Sequence, residues 1–544
     1  MSWLQALVGR VLPKGLSRSL RQFRSHNERH FRWPATARTR RPEVLFEVNA
    51  MHSAHIAYSY LANVLSERYG ARIVGYLPSV ARTWQGDLRR WVKRALNYGE
   101  YGAYASFGTT ELVVPTLTRK QAKSAEALFT KVFSSLRTAL EVEAIQVNGV
   151  WIGDLVFDAY LREFSKPTIV TSSPEFARSL RESIECYVFW DEYFTSHDVR
   201  AVNVSHCVYR NAIPLRVAVS RNIPAYQINL THAYRLDSNH LFAYTDFHYF
   251  RNRFVALPSE VRSEGVVEAR KRIDRRFSGE VGVDMSYSTK SAFGSRSAGR
   301  LLRESGRTKV LIAAHCFFDS PHSYGNNLFP DFYHWMEFLG QMTDNTDYDW
   351  YIKTHPDFLP GSRKVVEDFV ARYPRLTLLP ASSSHHQIIE EGLDVALTVH
   401  GTIGFEYAAL GVTVINASRN NPHIAYDFNV HAVDVEHYRQ LLLHLNTLSH
   451  PVDLAQVYEY YFMAFIHNTT NIFLPHYDDT IRRLGGYARQ FTPAVYREWL
   501  EQWTPERHQA LLDSLRAFVE SGDFRMDERH IRSSAGMTLS PAKA

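Results

Sequence analysis

The chain has 544 residues, enough for two large domains with additions. Apolar residues make up 45% and charged residues 22%, which excludes a disordered, collagen-like or disulfide-stapled protein. The only cysteines, Cys186, Cys207 and Cys316, lie too far apart for a Cys-based zinc site and point to a reducing compartment.

The first 41 residues stand apart. They hold ten Lys/Arg (Arg10, Lys14, Arg18, Arg21, Arg24, Arg29, Arg32, Arg38, Arg40, Arg41) against Glu28 alone, a net +9 in a chain of net +6. The rest is therefore slightly acidic, which argues against a nucleic-acid partner. Trp3, Leu4, Leu7, Val8, Val11 and Leu12, then Leu16, Leu20 and Phe23, recur at helical spacing on either side of Pro13 and Gly15. Two short amphipathic helices with a basic face are expected. They suit an anionic membrane surface and a cytoplasmic protein peripheral on the inner face of the plasma membrane. A solvated basic tail or a mitochondrial transit peptide fits the same composition. Arg10 interrupts the apolar stretch, unlike a secretory signal.

Strands are expected at 44–48, 71–76, 145–148, 166–170, 199–204 and 223–226, with a mainly helical insertion over 85–140. The strand–helix–strand order is that of a βαβ unit. The Gly- and Ser-rich stretch 278–307 reads as the junction between two domains. Beyond it come short apolar strands at 309–314, 349–353, 376–379, 394–399 and 412–415, alternating with helices at 329–342, 362–372, 385–392 and 402–410. That is a parallel sheet covered on both faces. The expected fold is α/β, with two Rossmann-like domains facing a cleft. The divisions are 1–41, a basic amphipathic leader; 42–300, an acceptor domain; 301–448, a donor domain; and 449–544, a helical C-terminal extension.

Ligands of open α/β sheets sit at the carboxyl ends of the strands. Four loops there carry suitable chemistry. Lys353-Thr-His355-Pro356 offers two basic groups to an anion, with Pro356 holding His355 extended. In His400-Gly401-Thr402-Ile-Gly-Phe-Glu406, glycine allows close backbone approach, Thr402 suits a helix cap, free N–H groups suit phosphate, and Glu406 suits ribose hydroxyls. Ser382-Ser383-Ser384-His385 suits a base, with Ser384 as a cap. His315 and Asp319 suit donor phosphate or acceptor. No Walker loop, GxGxxG, HExxH or GxSxG is present, so no cofactor and no metal are expected. In the first domain His52, Asp154, Asp191 and Glu192 are candidates for a general base or oxocarbenium stabiliser, His52 first because it directly follows a strand.

Lys353-Thr-His-Pro, the Ser-rich loop, Thr398-Val-His-Gly-Thr-Ile-Gly-Phe-Glu406 and Leu410-Gly-Val-Thr-Val414 resemble the donor domain of bacterial capsule and surface-polysaccharide glycosyltransferases of the GT-B fold. The likeness is nearest to Kdo transferases, and the His-Pro pair is similar to that of CMP-sugar sialyltransferases. The acidic-acidic-Gly motif of the latter has no counterpart, since Glu390-Glu391-Gly392 follows the His-Pro pair. The resemblance implies transfer from a nucleotide-sugar, a CMP-sugar in the first instance, to a surface polysaccharide or lipid-linked acceptor. It implies that His355 contacts the nucleotide, Gly401 and Thr402 hold phosphate, and Glu406 holds ribose. Alternatives are a CDP-polyol phosphotransferase of teichoic-acid type, a sugar-nucleotide 2-epimerase and a non-enzymatic assembly protein.

Overall fold

The structure is a computed structural model describing residues 17–31, 42–80, 98–285, 288–294, 296–355, 359, 361–467 and 471–532. The first sheet contains β1 (Glu43–Glu47), β2 (Arg72–Tyr76), β3 (Thr109–Val113), β6 (Val199–Val204), β7 (Ala225–Ile228) and β8 (Ala233–Leu236). A hairpin of β4 (Gln146–Val147) and β5 (Val150–Trp151) stands outside it. The strand order is β3-β2-β1-β6-β7-β8, parallel except for β8. The second sheet contains β9 (Lys309–Ala313), β10 (Asp349–Lys353), β11 (Leu376–Leu378), β12 (Val395–Thr398), β13 (Thr413–Asn416) and β14 (Val430–His431). Its order is β11-β10-β9-β12-β13-β14, parallel throughout. Each sheet is wound in both directions from its centre, and each is covered on both faces. This is a GT-B-like pair of Rossmann-like domains.

One expected strand is missing and one unexpected strand is present, each for a physical reason. Residues 166–170 form no strand. Val170 is exposed, and the Thr168 hydroxyl donates to Asp331 across the domain boundary at 2.6 Å. The described part of the insertion is mainly helical, with Glu100–Ser106 and Arg119–Ser135, but Thr109–Val113 adds the edge strand β3; its short β-branched run lacks the apolar alternation that marks a strand.

The chain also changes domain elsewhere than the composition suggests. Ala243 packs in the first domain's core, whereas Phe247, Phe250, Ala269 and Ile273 pack with Phe405, Ala408 and Tyr460 of the second. Ile466 stays with the second, and from Ile472 onward Phe473, Tyr496, Trp499 and Phe518 join Val44, Phe46 and Tyr60 of the first. The crossings thus fall at 243–247 and 466–472, not at 300 and 448. The Gly/Ser-rich stretch is no linker. The Leu301 and Leu302 N–H groups donate to Glu391, and the Ala292 carbonyl accepts from His385 N–H.

The described part of the leader is the helix Arg18–His30, capped by Ser17, whose hydroxyl accepts from Leu20 N–H. Its apolar face is not open to a membrane. Leu20 and Phe23 are buried in the first domain's core, and the Phe23 ring stacks on Tyr496 at 4.1 Å. The leader's first helical stretch, Trp3 to Leu12, lies outside the described residues. Among the described residues no helix is long and apolar enough to cross a membrane.

Candidate active site at the two switch points

In a doubly wound sheet, the two strands that start opposite crossovers leave a crevice at their carboxyl ends. In the second sheet these are β9 and β12, and in the first they are β1 and β6. The loops at the two crevices meet across the cleft: the Tyr209 hydroxyl, after β6, donates to Asp319, after β9. Tyr209 is held at φ +60° and ψ −178°, a conformation costing roughly 1–3 kcal/mol that persists only where its surroundings enforce it.

The second crevice gathers His315, Asp319, His400, Gly401 and Thr402. The Val399 N–H points at His315 Nε2 from 3.1 Å, so this nitrogen is the acceptor and Nδ1 carries the proton. Thr398 Oγ1, 3.0 Å from the same nitrogen, accepts from Gly401 N–H at 3.1 Å. A Cβ on Gly401 would stand 2.9 Å from that hydroxyl, and one on Gly404 would stand 2.3 Å from the His423 ring. Both glycines are therefore required by close packing. The His400 ring lies 4.9 Å from His315 and 5.1 Å from Tyr324, and its Nε2 is buried with no partner. Burial holds His400 down at about 4 and His315 well below the usual imidazole range, so both are neutral at pH 7. Thr402 opens the helix Ile403–Ala409, but its side chain makes no cap bond.

Beside this crevice lie the other predicted donor residues. Lys353, the last residue of β10, is buried, and burial lowers its ammonium to about 8 against the opposing pull of Glu406. Glu406 is paired with Arg276: Nε donates to Oε1 at 2.6 Å and the second guanidinium contact falls on the same oxygen. Arg276 comes from the helix Ser259–Phe277, distant in sequence, and no local pattern signals it. Ser384 is not a cap bond donor or acceptor either. The Ser383 and Ser384 hydroxyls and His385 Nδ1 are all buried without a hydrogen-bond partner among the described residues. Ser382 is exposed at the tip of the loop. His355 is exposed and near enough to His315 and His385 to lower both; Pro356 and Asp357 lie outside the described residues.

The first-domain candidates fare differently. Asp154 is fully buried in a bidentate pair with Arg216, at 3.1 and 2.5 Å, and the Arg216 guanidinium lies over the Trp151 ring. Asp191 holds Arg221 at 2.6 Å. It sits with exposed Glu192 near the end of the helix Pro174–Ser196, which leads into the amino end of β6, opposite the cleft. These three residues are structural or peripheral. His52 opens the helix His52–Tyr69, with Nδ1 3.0 Å from the Ala50 carbonyl and a second hydrogen bond to the Phe491 carbonyl. Burial lowers its imidazole against those two bonds.

Residues outside the sequence reading occupy the first crevice instead. Glu47, at the end of β1, is buried and accepts from Ser205 N–H at 2.7 Å and from Ser205 Oγ at 2.6 Å. Burial raises its carboxyl to about 7 against those bonds. The next residue, His206, follows β6 with an accessible side chain that still packs closely enough for burial to lower its imidazole. Strand-end position was the available signal, but His206 is followed by Cys-Val-Tyr with no recognisable motif. Among the described residues no group of three or more His, Cys, Asp or Glu is arranged to hold a metal ion.

No protein-family model and no curated protein sequence matches the chain. Solved structures with a similar arrangement include the UDP-GlcNAc 2-epimerase of Neisseria meningitidis bound to UDP-GlcNAc, at 10% identity and TM-score 0.21, covering 76% of this chain and 96% of that one. The UDP-N-acetylglucosamine 2-epimerase of Rickettsia bellii matches at 12% identity and TM-score 0.24, over 82% and 99%. A UDP-forming α,α-trehalose-phosphate synthase of Burkholderia vietnamiensis matches at 10% and 0.24, over 78% and 95%. Likeness at this level assigns no activity to this chain.

Proposed function

We propose that the second domain binds a nucleotide-sugar and that the chain transfers the sugar to an acceptor held by the first domain. One observation carries this reading: the Ser383 and Ser384 hydroxyls, His385 Nδ1 and His400 Nε2 are buried without partners among the described residues, around the carboxyl ends of one sheet. Each such group costs roughly 1–3 kcal/mol unless something bonds it, and a polar ligand is what would bond it. Lys353, His355 and the N–H groups at Thr402 and Ile403 suit the phosphates. Glu406 suits ribose, and the serine loop suits the base. The preference for a CMP-sugar rested on the His-Pro pair alone, so no base is now preferred.

Transfer is proposed to need no metal, the basic groups stabilising the leaving nucleotide in its place. A surface-glycan or lipid-linked acceptor and a cytoplasmic, membrane-surface location through residues 1–16 belong to the same proposal. The second reading is 2-epimerisation of a nucleotide-sugar, the activity named for two of the solved structures above. The imidazole, phenol and carboxylate facing one another at the cleft suit proton abstraction from a sugar carbon as well as from a hydroxyl.

A thermal-shift and calorimetric screen with UDP, CMP, GDP and CDP and their sugar forms tests the site, since a ligand bound by the native state alone raises Tm. Absence of any binding would favour an assembly protein. Among binders, product analysis with donor alone separates an epimer from transfer, and CDP-glycerol or CDP-ribitol turnover would mark a polyol phosphotransferase. Activity that survives EDTA supports metal independence; loss restored by Mg²⁺ or Mn²⁺ overturns it.

A further inference from the structure

We infer that His206 is the general base of the reaction, the group that takes the proton from the attacking hydroxyl. The inference rests on the transfer reading above. It starts from topology. His206 follows β6, one of the two strands that flank the first sheet's crevice, and the Asp319 loop of the second crevice lies opposite it. A nucleophile held by the first domain and a donor held by the second must meet between these loops.

The second step is availability. His52 and Asp154 are engaged by carbonyls and by a guanidinium. Glu47 is enclosed behind Ser205. His206 differs from all three: its side chain is exposed, and neither ring nitrogen has a hydrogen-bond partner among the described residues. A general base needs a lone pair free to reach its proton, so geometry favours His206 before acidity is considered.

The third step is charge. The groups that face His206 are Asp319 and, through it, the Tyr209 phenol on one side, and His232 on the other. His232 is itself bonded to the Tyr244 hydroxyl at 2.9 Å and influenced by Arg525. Glu47 lies behind, attached to the neighbouring Ser205. Partial burial against the flanking protein lowers the His206 imidazole, and the Asp319 carboxylate opposes that. The free imidazole is therefore neutral at pH 7, and Asp319 is positioned to stabilise the imidazolium formed during reaction.

The step balances without a further reagent. The acceptor oxygen, or water in its absence, forms a bond to the anomeric carbon as its proton passes to His206. The bond from that carbon to the phosphate oxygen breaks, and the nucleotide leaves with the electron pair. The imidazolium then returns its proton to solvent.

Donor hydrolysis by the full chain tests this without knowledge of the acceptor. Nucleotide release is followed from pH 5 to 9 with whichever of the UDP-, CMP- or GDP-sugars binds. Wild type should show an acid limb in kcat/KM governed by one ionisation. His206→Gln should lower kcat by about 10²- to 10⁴-fold, lose that limb, and keep the wild-type nucleotide Kd and Tm; His206→Ala serves should the first variant misfold. Wild-type kcat with the acid limb intact in either folded variant overturns the assignment while leaving the transfer reading in place. Failure of the wild type to bind any nucleotide-sugar, or formation of an epimer alone, removes the transfer reading and the role of His206 with it.

Discussion

At the second crevice the buried polar groups without partners among the described residues are Ser383, Ser384 and His385, in the loop between β11 and the next helix, and His400, two residues after β12. At the first crevice the groups that matter come from two strands, Glu47 at the end of β1 and His206 and Tyr209 in the loop after β6, and are interleaved with apolar residues. The difference teaches where a site is held. The second is held largely by local backbone, with Gly401 and Gly404 letting loop and helix approach closely. The first exists only once β1 and β6 have paired.

The sharpest way to break this comparison is to treat a buried first-domain acid as catalytic. Asp154→Ala strands the Arg216 guanidinium in the core and should cost about 3–5 kcal/mol in denaturant unfolding. Nucleotide affinity, measured on the folded fraction, should not change. A stable but inactive Asp154→Ala would reverse the assignment.

Phe23→Ala should cost about 3–5 kcal/mol, the usual range for a buried phenylalanine, although the residue belongs to a segment that reads as a membrane leader. Calorimetric melting measures the loss. An unchanged Tm would mean that the Arg18–His30 helix does not hold the core.

Lowering the pH should weaken both regions. Burial lowers His26 and His423 to about 3 and His400 and His508 to about 4. An unfolded histidine titrates near 6.5, so the unfolded chain takes up protons that the folded chain refuses. The contribution is complete above pH 6.5 and is lost as pH falls from there towards 4. A Tm that stayed flat over that interval would contradict the neutral, buried state of these rings.

Ser384→Ala separates ligand binding from stability at the second crevice. Its hydroxyl has no partner in the free protein, so ligand-free stability should hold. Nucleotide affinity should fall by roughly 0.5–1.5 kcal/mol, about 2- to 12-fold. Equal affinity would remove Ser384 from the site.

The smallest effect belongs to Asp191→Asn. The pair with Arg221 is about one-third exposed and should contribute no more than about 1 kcal/mol, with turnover unaffected. A large loss of kcat would return Asp191 to the catalytic candidates.

The alternation of short apolar strands with helices over 309–416 was legible because a parallel strand buried on both faces must be continuously apolar. The placement of Lys353 and His400 at strand ends, and of Glu406 in the first turn of the helix that follows, came from that alternation. The partner of Glu406 did not, because Arg276 arrives from a helix 130 residues earlier. The same limit explains the leader. Apolar spacing in residues 16–23 established a helix with one greasy face, and sequence could not tell a membrane from the Tyr496 and Trp499 rings, which are equally apolar partners.

By itself the sequence determined two sheets, their strand-end loops and the chemistry those loops carry, because side-chain periodicity is a local property. Only the tertiary structure decided which crevice faces which. It also decided which acids are spent on arginines, and that residues 247–285 and 472–532 exchange domains. Those outcomes depend on contacts between segments hundreds of residues apart, and no local pattern encodes a partner at that distance.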